Sequence, residues 1–259
     1  MIILVIYHPA IIFRKKFSNE RRTGIFPVLL LLVGVFLFSA PIDALAASRV
    51  WGGGSVAPGT SGDYNWSTAT HWTGDTVPQI GDTVTFNGTS TANCTIDNIG
   101  PANSHANQLG GFTVTSAYNG GVITQNVQVY SANMDLNLSN CTWTVSGASV
   151  EPEGFTISGG TFATTKAIWS WGSIACSGNG SINQTGEYMV MQGTATKTIT
   201  NTGTGTITFR KFQEDSSTST VSTAQTTIDC NVTVSGDHVV INISAIAGDG
   251  KLIDRKAHV

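Results

Sequence analysis

The sequence predicts an all-β fold, a single-stranded right-handed parallel β-helix that follows an N-terminal leader. Three observations carry it. From Ser48 onward there are only four leucines, Leu109, Leu136, Leu138 and Leu252, so helices have little to be built from. Thr, Val, Ile, Gly, Asn and Ser dominate instead, and β-branched residues lose rotamer freedom in a helix but pack well on a pleated surface. Short runs alternate apolar with small polar residues, with glycine-rich turns between them.

The leader comes first. Arg14, Lys15, Lys16, Arg21 and Arg22 form a basic segment, the stretch 25–38 is apolar, and Ala44-Leu45-Ala46 supplies a small-x-small cleavage site. Residues 1–47 are therefore expected to be a signal peptide and residues 48–259 the exported domain, secreted or held at the cell surface. The competing reading is a retained membrane anchor, because the apolar stretch is only a little shorter than the roughly 20 residues that span a bilayer. The small residues stand where a cleavage site belongs, and after cleavage no membrane contact is expected.

Without the leader, Lys+Arg falls from 13 to 8 and Asp+Glu from 16 to 14, which changes the net charge from −3 to −6. No Lys or Arg occurs between Arg49 and Lys166. That leaves no basic stripe to neutralise phosphates, so nucleic acid is not an expected partner.

The strand signals follow in order: Thr83-Val84-Thr85-Phe86, Phe112-Thr113-Val114-Thr115, Met134-Asp135-Leu136-Asn137-Leu138, Thr142-Trp143-Thr144-Val145, Phe155-Thr156-Ile157, Thr206-Ile207-Thr208-Phe209 and Val239-Val240-Ile241-Asn242-Ile243. Asn119-Gly120-Gly121, Ser158-Gly159-Gly160, Gly178-Asn179-Gly180 and Ser235-Gly236-Asp237 supply turns. This spacing suits a sandwich as well as a β-helix. An imperfect echo, Cys141-Thr-Trp-Thr-Val-Ser-Gly147 against Cys230-Asn-Val-Thr-Val-Ser-Gly236, favours stacked coils, and so does the Asn and Thr content, which can form ladders between them.

A stack needs closed ends. Residues 48–82, with Trp51, Trp66 and Trp72, are the expected N-terminal cap. The charged stretch from Gly248 to Lys256 reads either as a polar cap or as the edge of something longer.

The string Tyr64-Asn65-Trp66-Ser67-Thr68-Ala69-Thr70-His71-Trp72-Thr73-Gly74, then Val77-Pro78-Gln79-Ile80-Gly81-Asp82-Thr83-Val84-Thr85-Phe86 and Thr95-Ile96-Asp97, resembles the opening of bacterial autotransporter passenger-type β-helix proteins. The match covers about 35 residues, from the two tryptophans to Asp97. The resemblance implies a right-handed parallel β-helix displayed at, or released from, a bacterial surface. The chain departs from the pattern in having no room for a C-terminal translocating barrel.

Chemistry is sparse. The nearest carboxylate pairs are Glu151 with Glu153, around Pro152, and Glu214 with Asp215, and both read as solvated loop charges. His71, His105, His238 and His258 stand apart from the cysteines, and no calcium repeat is present, so no catalytic residue, metal site or cofactor is expected. Cys94, Cys141, Cys176 and Cys230 read either as two disulfides or as small buried hydrophobes. Trp169-Ser170-Trp171 is the candidate ligand site, because i and i+2 on a strand share a face and two indoles there make a platform for a sugar. Packing inside the solenoid or against a loop is the competing reading.

The functional expectation is a non-catalytic structural or adhesive protein whose partners are extracellular polysaccharide or cell-surface and matrix components. The alternative is a carbohydrate-active β-helix enzyme, a lyase or glycoside hydrolase, or a fragment of one.

Overall fold

A computed structural model describes residues 46–52, 63–193, 195–215, 226–235, 239–241, 246–247 and 252–254. The leader expected over 1–47 lies almost wholly outside these residues. The described chain is a parallel β-solenoid. Apart from a 3-10 turn at Ala69–His71, its regular elements are strands, and every strand pairing is parallel.

The N-terminal coils carry two strands each: β1 (Ser48–Val50) and β2 (Asp63–Asn65), β3 (Thr83–Phe86) and β4 (Asn93–Ile96), β5 (Gly111–Val114) and β6 (Val122–Gln125), β7 (Val129–Asn137) and β8 (Thr142–Val145), then β9 (Val150–Gly159) and β10 (Thr161–Thr164). The later coils carry three: β11 (Ile168–Ser170), β12 (Ile174–Cys176) and β13 (Ser181–Gln184); β14 (Met189–Gln192), β15 (Lys197–Asn201) and β16 (Ile207–Phe209); β17 (Phe212–Asp215), β18 (Thr226–Ile228) and β19 (Val232–Val234); β20 (Val239–Ile241), β21 (Ile246–Ala247) and β22 (Leu252–Asp254).

The change in coil shape happens through β7 and β9, which are nine and ten residues long. Each bends across a corner and serves two faces. β11 pairs with the start of β9 (Ile168 with Val150) and β12 with its later part (Ile174 with Phe155), so one 13-stranded sheet wraps around two sides. The third side is a 4-stranded sheet, β2-β4-β6-β8, continued by a 5-stranded one, β10-β13-β16-β19-β22, with β10 lying against β8. The two halves of the Cys141 and Cys230 echo fall on β8 and β19 of this same side.

Alternation decides which side chains enter the core. Successive coils stack one inward column, Val84, Phe112, Met134, Phe155, Ile174, Ile199 and Ile228, each paired with the next and each buried. Each step removes apolar surface from water, at about 25 cal/mol per Å². At the N-terminal end the column gives way to aromatic packing. Trp51, Trp66 and Trp72 are buried, Trp66 and Trp72 meet edge to face at 4.5 Å, and Trp66 stacks on Phe112 at 5.8 Å.

The buried Gln125 side chain is satisfied locally. The Gln125 amide donates to the carbonyls of Val127, Ala148 and Ser149, and its oxygen accepts from Trp143 Nε1. No described helix is long and apolar enough to cross a membrane.

The four cysteines are free thiols. Cys94 pairs with Ile123, which pairs with Trp143, so Cys141 lies two coils away and two residues out of register. Cys176 and Cys230 are likewise separated by the coil carrying Asn201. Two strand spacings come to about 9.5 Å, beyond the roughly 7 Å between Cα atoms that a disulfide tolerates. Neither of these two pairs is within disulfide reach; Cys94 and Cys176 are buried, Cys141 and Cys230 partly so. Burial raises all four thiols, Cys141 and Cys230 to about 11 and Cys176 to about 12. Cys94, wholly enclosed, lies well above its ordinary value.

Candidate functional site

The candidate site lies on the outside of the 13-stranded sheet, at the corner where β9 bends. In β9 the inward residues are Val150, Pro152 and Phe155, so Glu151 and Glu153 both face outward. The loop expected around Pro152 is thus a strand, and its carboxylates share one face. One coil further on, Ile168 and Ser170 are inward and buried while Trp169 and Trp171 face outward. Register places Tyr130 beside Glu151 on the preceding coil and Trp169 beside it on the next.

The corner is built for close stacking. A Cβ on Gly172 would lie 1.8 Å from the Glu153 carbonyl oxygen, so only glycine lets the coil after Trp171 settle onto β9. Trp171 Nα–H donates to the Pro152 carbonyl at 3.0 Å, which anchors the indole's backbone at that corner.

Trp171 and Trp169 differ in their surroundings. The indole of Trp171 stacks on the His105 imidazole at 4.1 Å and 14°, with Gly193 of the following coil beneath it. His105 belongs to the long connection between β4 and β5, so packing against a loop describes Trp171. Trp169 has no such ring partner among the described residues and stands on the sheet face, partly exposed.

Both carboxylates are held as hydrogen-bond acceptors. Gln108 Nε2 donates to Glu153 Oε1 at 2.8 Å, and His105 Nε2 stands 3.6 Å from the same oxygen. Gln128 Nε2 donates to Glu151 Oε1. Burial raises the Glu151 carboxyl above its ordinary value, and the Gln128 amide and the Trp171 indole N–H partly offset that rise. The indole approach falls short of full hydrogen-bond geometry. Tyr130 is raised as well, by burial first and by the Glu151 charge second.

Buried polar atoms without a partner gather here. Among the described residues they are Trp66 Nε1, His105 Nδ1, Gln108 Oε1 and Trp171 Nε1, and the last three belong to this corner. Leaving such groups unpaired costs about 1–3 kcal/mol each.

One basic residue reaches this corner, Lys197, whose Nζ donates to the carbonyl of Gly193 beneath Trp171. Others are engaged elsewhere. Lys166 pairs with Glu187 at 3.7 Å, Arg210 donates to the Gly186 carbonyl, Lys211 lies over the Tyr188 ring, and Arg49 pairs with Asp82 at 3.0 Å. Among the described residues no group of three or more His, Cys, Asp or Glu side chains forms a metal-binding cluster.

Of the residues singled out in the sequence, Trp169 and Trp171 come together with Glu151, Glu153 and His105. Gln108, Gln128 and Tyr130 carried no sequence signal, since they are ordinary polar or aromatic residues one or two coils away. Glu214 and Asp215 lie on β17, and His238 and His258 fall outside the described residues. His71 packs far off, at 4.8 Å from the Tyr64 ring.

Fold and corner together define the class: a parallel β-solenoid bearing a mixed aromatic and acidic patch on an outer sheet face. Comparison with protein-family profiles, with curated proteins and with solved structures finds no match.

Proposed function

We propose that the chain is a non-catalytic extracellular β-solenoid, secreted or surface-displayed, that acts as a stiff adhesive element by binding polysaccharide at the Trp169 and Trp171 corner. One observation carries the reading. An outward, partly exposed indole sits on a rigid sheet face beside two carboxylates already oriented by neutral amides. Sugars present apolar C–H faces and a rim of hydroxyls, so an aromatic surface flanked by fixed acceptors complements both. The sheet supplies preorganisation, which lowers the entropic cost of binding.

A panel of bacterial and plant polysaccharides, read by tryptophan fluorescence and thermal shift with product analysis on the same samples, tests this. Binding without new reducing or unsaturated ends is the expected result, and Trp169→Ala weakens it about tenfold or more. Failure of every polysaccharide to quench fluorescence or raise the Tm contradicts the proposal.

Glu151 and Glu153 favour a second reading, a glycoside hydrolase. Two carboxylates stand on one strand face, the residue types a glycosidase uses, and burial raises that of Glu151. Against it, each carboxylate accepts an amide N–H, which favours the ionised form and works against a proton donor. Release of product from the panel would decide for this reading.

A further inference from the structure

We infer that Asn87 is a site of self-modification: its side-chain carboxamide cyclises onto the backbone nitrogen of Gly88, and the imide so formed opens to aspartate and isoaspartate.

Cyclisation needs the nitrogen of the following residue to reach the asparagine Cγ. A Cβ on that residue crowds the approach, so Asn-Gly pairs are where the reaction proceeds most readily. The chain holds three, Asn87-Gly88, Asn119-Gly120 and Asn179-Gly180. All three lie in connections between strands. Exposure would put Asn119 and Asn179 first, since both are exposed and Asn87 is half-buried.

Hydrogen bonding reverses that order. The Gly120 N–H donates to the Asn140 carbonyl at 2.7 Å, and the Gly180 N–H to the Ser177 carbonyl at 2.8 Å. A nitrogen so held is not free to turn toward the side chain before it, and its proton is committed. Gly180 is fixed by packing as well, since a Cβ there would lie 2.1 Å from the Ile157 carbonyl oxygen. The Gly88 N–H, by contrast, has no acceptor among the described residues. A Cβ on Gly88 would come no closer than 3.4 Å to its neighbours, so the segment has room to adjust.

The Asn87 side chain is already folded back. Its Oδ1 accepts the Thr89 N–H at 2.9 Å, which closes a small ring containing both Cγ and the Gly88 nitrogen. The two reacting atoms are thereby held near each other. The same N–H points at the oxygen on which negative charge develops as the nitrogen adds to Cγ, so it stabilises the adduct as an oxyanion hole does. Asn179 Oδ1 instead faces the Gly160 N–H of the preceding coil, at 3.4 Å.

The Gly88 nitrogen gives its proton to water or hydroxide as the N–Cγ bond forms, and the tetrahedral adduct expels the side-chain nitrogen as ammonia. Water then opens the imide. Addition at Cγ breaks the new bond and leaves aspartate. Addition at the Asn87 main-chain carbonyl carbon breaks its bond to the Gly88 nitrogen, so the chain runs through the side chain as isoaspartate. Either product carries a carboxylate where a neutral amide stood, just past the end of β3.

A time course of the folded protein in warm, mildly alkaline buffer, mapped by mass spectrometry with enzymatic isoaspartate labelling, tests the inference. A parallel sample in denaturant removes the hydrogen bonds. In the folded protein Asn87 is expected to convert at least about tenfold faster than Asn119 or Asn179, whereas in denaturant the three rates fall within about threefold of one another. Gly88→Ala is expected to slow Asn87 by at least about tenfold and leave the other two unchanged. Should that variant fail to fold, the wild-type ranking answers the same question. Conversion of Asn119 or Asn179 in the folded protein as fast as Asn87 overturns the assignment, and so does an Asn87 that reacts only in denaturant.

Discussion

At the residue scale, burial and hydrogen bonding pull the protonation of Glu151 in opposite directions, and burial wins. A carboxyl whose folded-state pKa is raised binds its proton more tightly when folded. Its contribution favours folding at low pH and is lost as pH rises from the ordinary carboxylate value through the raised one. Glu151→Gln keeps the shape and the acceptor for Gln128 but removes the titration. The variant is therefore expected to match wild type below the ordinary carboxylate range and to exceed it at neutral pH by about 1 °C in Tm, a size set by the partial exposure of the group. Melting curves across that pH range check it, and a wild type relatively more stable at neutral pH would contradict it. The tryptophans were legible as a pair because i and i+2 on any strand share a face. Their unequal fates were not, since His105, which stacks on Trp171, is 66 residues earlier in the chain.

At the element scale, the corner depends on β9 bending while keeping its pairing on both sides. Glycine matters there for space. With an added methyl only 1.8 Å from the Glu153 carbonyl, Gly172→Ala must push the coil of β11 and β12 off β9, at about 1–3 kcal/mol. Denaturant unfolding measures that loss, and a change below about 0.5 kcal/mol would show that the coils are not stacked so closely. Most strands were readable from alternation, as Met134-Asp135-Leu136 in β7 and Thr142-Trp143-Thr144-Val145 in β8 illustrate. The first half of β9 was the exception, because a proline between two acids has the signature of a loop, whereas Phe155-Thr156-Ile157 in its second half was read as a strand. Pro152 is tolerated where it points inward beside the bend, with its carbonyl still accepting from Trp171.

For the whole molecule, the solenoid turns residues far apart in sequence into neighbours. Coil length varies, from 19 residues between Phe155 and Ile174 to 29 between Ile199 and Ile228, so no fixed period reveals which side chains will stack. That is why the all-β solenoid was legible in composition and alternation, whereas the meeting of Gln108, Gln128, Tyr130, Glu151, Glu153 and Trp169 was not. The same architecture makes the central claim testable through its tryptophans. Of the six in the chain, Trp51, Trp66, Trp72 and Trp143 are buried, and only Trp169 and Trp171 are partly exposed. Mild oxidation with N-bromosuccinimide, mapped by mass spectrometry with and without the oligosaccharide that binds most tightly, reads the patch directly. Modification concentrated at Trp169 and Trp171 in the free protein, and suppressed there by the ligand, is the predicted result. Undiminished oxidation of Trp169 at saturating ligand would place the binding surface elsewhere and contradict the account.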